Sequence, residues 1–459
     1  MKTTIYYLMI LSFLLQTACS KQNEWLEVKT NKNDVVPETI EDYQAILDNF
    51  DFGLTNGNLT SPMLRTDNIA LNDKDVNSLQ EYEKNLFLFE NVQYPNGISY
   101  QWNSGFQTMM LSNIVLDGLL TIANSTKEYA NVKGQALFYR ASAVYNLLNL
   151  FCKPYNKVTA SGDLGLPIRT VSDVNVVITH RSSLETTYTQ MIKDLHEAIS
   201  LLPNNQRSLT RPTLYAAKAL LAKVCLLMDD YEKANQYVNE VLKDNDKLLD
   251  FNDSIIDYGS VFRFPAHGIS NPEVLFYTWS AAHDVLSPWR NSTGIVPDDL
   301  YQLYDTDDLR KNAFFVLRDQ AVRYIGTYSG FEYAFAGIAT NELYLIKAEC
   351  SARLGDIKLA EQTLNKLLIN RYKKGSYTPI NFSNYEEAIS NILTERRKEL
   401  PLTACIRWED LRRLNKDPNL QKTIYRQYNG QRYEMLPGSS GYVLPIPQQE
   451  IQLSGIEQN

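Results

Sequence analysis

Histidine and cysteine are scarce in this 459-residue chain, at four and five residues. His180, His196, His267 and His283 show no H-E-x-x-H or other ligand spacing, so no metal centre is expected. Beyond Cys19, the cysteines Cys152, Cys225, Cys350 and Cys405 stand far apart without a C-x-x-C pair. That excludes a disulfide framework and a structural zinc site as expectations, and they read instead as small buried hydrophobes. No G-x-S-x-G, P-loop or G-x-G-x-x-G is present, and no cofactor is expected. There is no Lys/Arg block, and the net charge of −8 argues against a nucleic-acid partner. The early apolar run falls short of the ~20 residues needed to span a membrane. The acidic pairs Asp298/Asp299 and Asp307/Asp308 are adjacent, and neighbours rarely flank one glycosidic bond as a catalytic pair must.

At the N-terminus, Lys2 precedes the apolar run Ile5–Leu15, and small residues lead straight into Cys19. This is the layout of a secretory signal. It resembles a bacterial lipobox, with Gln16 where leucine is usual. The resemblance implies diacylglyceryl transfer to Cys19 and attachment to a membrane by lipid only. Helical 3–4 spacing predicts a helix from Ile40, then helices over 102–122, 132–151, 184–202, 213–227, 231–242, 341–354, 357–372 and 385–400. Residues 51–98 read mostly as loop, 251–338 as irregular with short β runs ("VLFYTW", "DQAVRYIGTY"), and the tail "GYVLPIPQQEIQLSG" as extended.

Two segments repeat each other: "AAKALLAKVCLLMDDYEKANQYVNEVL" and "NELYLIKAECSARLGDIKLAEQTLNKLL". Ala222 and Ala234 in the first match Ala348 and Ala360 in the second, both at a spacing of 12 and both straddling a short turn. Small residues there let two antiparallel helices approach closely. The pattern resembles the tetratricopeptide repeat, which buries its apolar side by stacking.

Several further segments, in order, resemble the SusD/RagB-like nutrient-binding lipoproteins of the Bacteroidetes outer membrane. They are "NEWLEVKTNKNDVVPETIEDYQAIL", "YQWNSGFQTMMLSNIVLD", "GQALFYRASAVYNLLNLF", "DLGLPIRT", "IKDLHEAISLLP", "RPTLYAAKALLAKVCLLMDDYEKA", "ILTERRKELPLTACIRWEDLRRLN" and "YVLPIPQQEI". The chain departs from the family where Leu402, Thr403, Ala404 and Cys405 replace the usual Phe-Glu-Gly, which puts ligand class in doubt. The resemblance implies a mainly α fold of tetratricopeptide-like helical repeats with a large loop-rich insert containing short strands. It implies a surface lipoprotein that takes a nutrient, most often a glycan, to a SusC-like TonB-dependent barrel. The expected divisions are a signal peptide at 1–18, a tether at 19–36, helical regions at 37–250 and 339–459, and a ligand-binding insert at 251–338.

Sugar recognition asks for flat aromatic faces beside a few polar groups. Asp67, Asn68, Trp279, His283, Trp289, Arg290 and Tyr328 are the candidate ligand-binding residues on that ground. Trp102, inside a helical pattern, and Trp408 read as packing residues. "ERRKEL" reads as a solvated helix face with i,i+4 pairing. The rival readings are an anchored glycoside hydrolase and a repeat scaffold that binds peptides in its groove.

Overall fold

The computed structural model describes residues 36–49, 59, 61–122, 126–281, 285–287 and 292–459. The signal, Cys19 and nearly all of the tether lie outside the described residues. The long helices are α1 (Ile40–Asp48), α2 (Tyr100–Leu119), α3 (Lys127–Phe151), α4 (Leu184–Leu201), α5 (Leu214–Leu227), α6 (Tyr231–Leu242), α7 (Thr340–Arg353), α8 (Ile357–Leu368), α9 (Tyr385–Glu399) and α10 (Ile406–Leu414). Their starts follow capping chemistry. Thr39 and Asp42 form a reciprocal box at α1, and Ser99, Thr126, Ser183, Thr213 and Asn384 each accept from the backbone N–H three residues on.

Successive helices pack as antiparallel neighbours: α2 on α3, α3 on α4, α5 on α6 and α7 on α8. Helix α7 also lies against α6 and α9, so the two repeated hairpins share one interface. Their turns superpose residue for residue. Met228 (φ −85°, ψ 0°) matches Leu354 (φ −87°, ψ 3°), and Asp230 (φ −86°, ψ 72°) matches Asp356 (φ −90°, ψ 73°). Asp229, at φ +60°, adopts the left-handed conformation that Gly355 takes at φ +90°. Ala222, Ala234, Ala348 and Ala360 are fully buried, as close helix approach requires.

The insert is held by short antiparallel pairs. β1 (Val274–Phe276) pairs with β6 (Ile338–Ala339), β2 (Trp279–Ser280) with β5 (Ala334–Phe335), and β3 (Phe315–Arg318) with β4 (Ala321–Tyr324). A further hairpin joins β7 (Ile424–Tyr428) to β8 (Gln431–Met435) across Asn429–Gly430, both at positive φ. The insert's aromatic residues Phe251, Phe264, Phe314 and Phe335 belong to the same buried cluster as the helices.

Three sequence expectations need correction. Residues 51–98 contain two capped helices, Asp73–Ser78 and Glu81–Phe87. The tail opens in a 3-10 turn at Ser440–Tyr442 and is extended only up to Pro447, after which Gln448–Ser454 is helical and ends on Gly455 at φ +76°. The "ERRKEL" turn is not solvated. Glu395, Arg396, Lys398 and Glu399 are buried, because this end of α9 is surrounded by α7, α10 and the insert, each bringing an opposite charge.

Candidate functional site

The residues proposed from sequence separate into three groups. Asp67 is buried; its carboxylate accepts from Arg407 Nε and Nη2 at 2.7 and 2.8 Å and sits 2.6 Å from Lys422 Nζ. Burial opposes its ionisation, yet Arg407, Arg397 and Lys422 outweigh that and hold its pKa well below the usual carboxylate range. Asn68 is fully buried, donating to the Pro401 carbonyl at 2.5 Å and accepting from Arg397 Nε at 2.7 Å. Tyr328 packs on Phe264 at 4.7 Å between ring centroids and donates to Glu273 Oε2 at 2.7 Å. All three are engaged inside the protein, so they are withdrawn as surface ligand contacts. Trp102, whose Nε1 donates to Glu450 at 3.3 Å, and Trp408, which donates to the Asn149 carbonyl at 2.8 Å, are core residues as the sequence predicts. His283, Trp289 and Arg290 lie outside the described residues.

Trp279 remains at the surface. Strand β2 places it between buried Thr278 and Ser280, paired in register with Phe335, and leaves it half-buried. Tyr333, just before β5, stacks on it with centroids 4.4 Å apart and planes at 15°. From Tyr333 the ring contacts continue to Phe331 at 5.4 Å, then to His267 at 5.5 Å, and from His267 to Tyr277 at 5.7 Å. Phe262 flanks Phe331 at 6.4 Å. Tyr333, Phe331 and Phe262 are half-buried and His267 is exposed, so the strip presents aromatic carbon to solvent over several rings.

The strip is braced from beneath. Ser329 is fully buried; its hydroxyl reaches the Tyr333 carbonyl at 2.5 Å and the Phe331 carbonyl at 3.2 Å, while its own carbonyl accepts from His267 N–H at 2.7 Å. Thr327 Oγ1 accepts from Phe335 N–H at 2.8 Å. Gly330 closes the turn at φ +59°, where a Cβ would lie 2.3 Å from the Pro265 carbonyl, so only glycine fits. A platform fixed this way loses little side-chain freedom on binding.

Chemically the strip offers stacking faces, one imidazole whose Nδ1 lies 3.4 Å from the Tyr277 hydroxyl, and no paired carboxylates. Among the described residues no group of His, Cys, Asp or Glu is arranged to hold a metal ion, and no helix is long and apolar enough to cross a membrane. Phe262, Phe331 and His267 were not among the sequence candidates. The aromatic–acid–aromatic alternation of Phe331, Glu332 and Tyr333 was the available signal, but the chain segments that meet there are distant in sequence.

A frame of stacked tetratricopeptide-like hairpins carrying an aromatic-lined insert defines a helical-repeat protein with a strand-braced aromatic surface. The chain belongs to the SusD/RagB family. A family model described as "Starch-binding associating with outer membrane" matches residues 24–226, and the SusD family model matches residues 315–459. The chain is 24% identical over 453 residues to SusD-like protein P2 of Formosa agariphila, covering 85% of this chain and 84% of that protein. Among solved structures it is similar to a SusD superfamily protein from Bacteroides thetaiotaomicron, at 22% identity and TM-score 0.73, over 92% of this chain and 99% of that one. A SusD-like carbohydrate binding protein from Bacteroides vulgatus matches at 19% identity and TM-score 0.70, over 91% and 97% of the two chains. A laminarin binding SusD-like protein matches at 17% identity and TM-score 0.66, over 92% and 98%.

Proposed function

We propose that this protein captures a glycan on the Trp279–Tyr333–Phe331 strip and, held at the outer membrane by acyl chains on Cys19, passes it to a SusC-like TonB-dependent barrel. The observation that carries the reading is the strip itself: contiguous, partly exposed rings on a braced support suit the C–H faces of pyranose units. Family membership and the laminarin and carbohydrate binding of two structural relatives support the ligand class. The insert at 251–338 is then the ligand-binding region, with Trp289 and Arg290 kept as further candidate contacts.

The test titrates the full chain with laminarin, soluble starch and a wider polysaccharide panel by calorimetry, while new reducing ends are assayed in parallel. Saturable binding to at least one polysaccharide is expected, without product. Trp279→Ala and Tyr333→Ala are each expected to cost ~1–2 kcal/mol of affinity, and Trp289→Ala ~1 kcal/mol or more. Release of reducing ends would favour a hydrolase instead. Wild-type affinity in both Trp279→Ala and Tyr333→Ala would remove the strip from the site. Cys19→Ala is expected to move the protein from the membrane to the soluble fraction; continued sedimentation with membranes would contradict lipid attachment there.

A further inference from the structure

A concave feature on the repeat frame shares no residue with the aromatic strip. It is an open groove along the repeated hairpins, lined by Asn239 and Lys243 at the end of α6, Tyr344 and Lys347 of α7, and Gln362 and Lys366 of α8. Three ammonium groups face one lining carboxylate, Asp246, in a chain whose net charge is −8. Lys366 is occupied: its Nζ lies 3.1 Å from Asp246 Oδ2 and 5.2 Å from the Tyr344 ring centroid. Tyr344 is fixed in turn by its hydroxyl, which donates to the Asp246 carbonyl at 2.9 Å. Lys347 is half-buried in α7, and its ammonium has no hydrogen-bond or ion-pair partner among the described residues. Burial first, and then the charge of Lys366, hold its pKa below the ordinary lysine value. A half-buried cation without a counter-charge is an unfavourable arrangement that an arriving anion relieves.

We infer that this groove binds an acidic polypeptide segment, with Lys347 pairing a carboxylate and Lys243 and Lys366 flanking it. A peptide fits better than an anionic glycan for two reasons. The one aromatic ring in the groove, Tyr344, lies under Lys366 Nζ, leaving no open face for a sugar. The side-chain amides of Asn239 on α6 and Gln362 on α8 both line the groove, where they suit a peptide backbone.

The full chain is titrated by calorimetry with a hexaglutamate peptide, its hexaglutamine counterpart and a polyuronate of matching charge. Hexaglutamate is expected to bind at least ~10-fold more tightly than hexaglutamine and to weaken as salt rises. Lys347→Glu is expected to lower that affinity at least ~10-fold and Lys347→Gln ~3-fold, whereas Lys127→Glu, the same charge change on an exposed turn of α3, stays within ~2-fold. Melting curves accompany each variant, and if Lys347→Glu does not fold, Lys347→Gln carries the comparison. Equal affinity for the two peptides, or an equal loss in Lys127→Glu, overturns the inference. Polyuronate binding tighter than that of hexaglutamate and weakened by Lys347→Glu, unlike glycan binding at the aromatic strip, assigns the groove to glycans and overturns the peptide class.

Discussion

Two buried guanidiniums converge on Glu399 at the end of α9. Its two oxygens accept from Arg371 Nε at 3.0 and 3.1 Å, Arg371 Nη2 at 2.8 Å, Arg310 Nη1 at 3.2 Å and Asn341 Nδ2 at 3.0 Å. Burial disfavours the carboxylate, but Arg371 and Arg310 outweigh it and keep its pKa low. Removing it leaves two buried guanidiniums short of a partner, so Glu399→Ala is expected to cost ~3–5 kcal/mol in urea unfolding. Lys373→Ala, which breaks the exposed pair with Asp307 at 2.9 Å, is expected to cost under ~1 kcal/mol. Similar costs for the two variants would mean that the interior charges contribute no more than surface ones. At the strip the same scale makes a different point. Trp279 and Tyr333 stack on each other. Their affinity losses should therefore not add, and the double variant is expected to lose less than the two single losses together.

At the scale of elements, the repeat rests on four alanines. Ala360 is fully buried where α8 crosses α7, and Ala348 faces the same seam. A leucine there has no room without separating the helices. Ala360→Leu is expected to lower stability by ~1–3 kcal/mol in thermal unfolding, and a variant as stable as the parent would mean that the seam is loose. These hairpins were legible in the sequence because their apolar spacing and their turns both repeat: the predicted start and end of α6, Tyr231 and Leu242, are those observed. Where charge outnumbers apolar residues the pattern misleads. Helix α10 is Ile-Arg-Trp-Glu-Asp-Leu-Arg-Arg-Leu and every residue of it is buried, since Arg396 of α9 and Glu349 of α7 supply the partners. No periodicity in one segment reveals a counter-charge carried by another. The hairpin β7–β8 is a different miss: Asn429–Gly430 marks a tight turn in the sequence and was passed over. At the site, the half-exposed Trp279 could be proposed from composition, but the interior positions of Asp67 and Tyr328 depend on Arg407 and Glu273, which are remote in the chain.

Across the whole molecule, the charges near the end of α9 join parts that the sequence divided. Arg310 of the insert meets Asp308, Glu395 and Glu399; Arg371, following α8, meets Glu273 and Glu399; Arg396 meets Glu342 of α7 and Asp410 of α10. The insert is thereby bonded to the repeat frame, and the strip gains a rigid foundation. The same nets dictate a response to acid. Burial opposes ionisation at Glu349, Glu342, Asp308, Asp410 and Asp67, yet their cationic partners prevail and each pKa lies below its ordinary value of 3.8 or 4.5, with Glu349 at about 2. A carboxylate whose folded pKa is depressed adds stability above its unfolded pKa and loses it as pH falls toward the folded value. Glu349 is the group in which Arg413 and Arg353 outweigh burial to leave the pKa at about 2. Glu273 runs oppositely: burial, with Glu399 beside it, raises its pKa, so its protonation at low pH offsets a part of the loss. With six depressed buried carboxylates, Glu399 among them, against the raised Glu273, the melting temperature is expected to hold from neutrality to about pH 5 and then fall steeply toward about pH 2. Salt at ~1 M should shift the neutral-pH value little, because these pairs are buried from the ions that screen surface charge. A melting temperature unchanged down to about pH 2 would mean that the carboxylates are not stabilised by their arginines, and the link between insert and frame would have to come from packing alone.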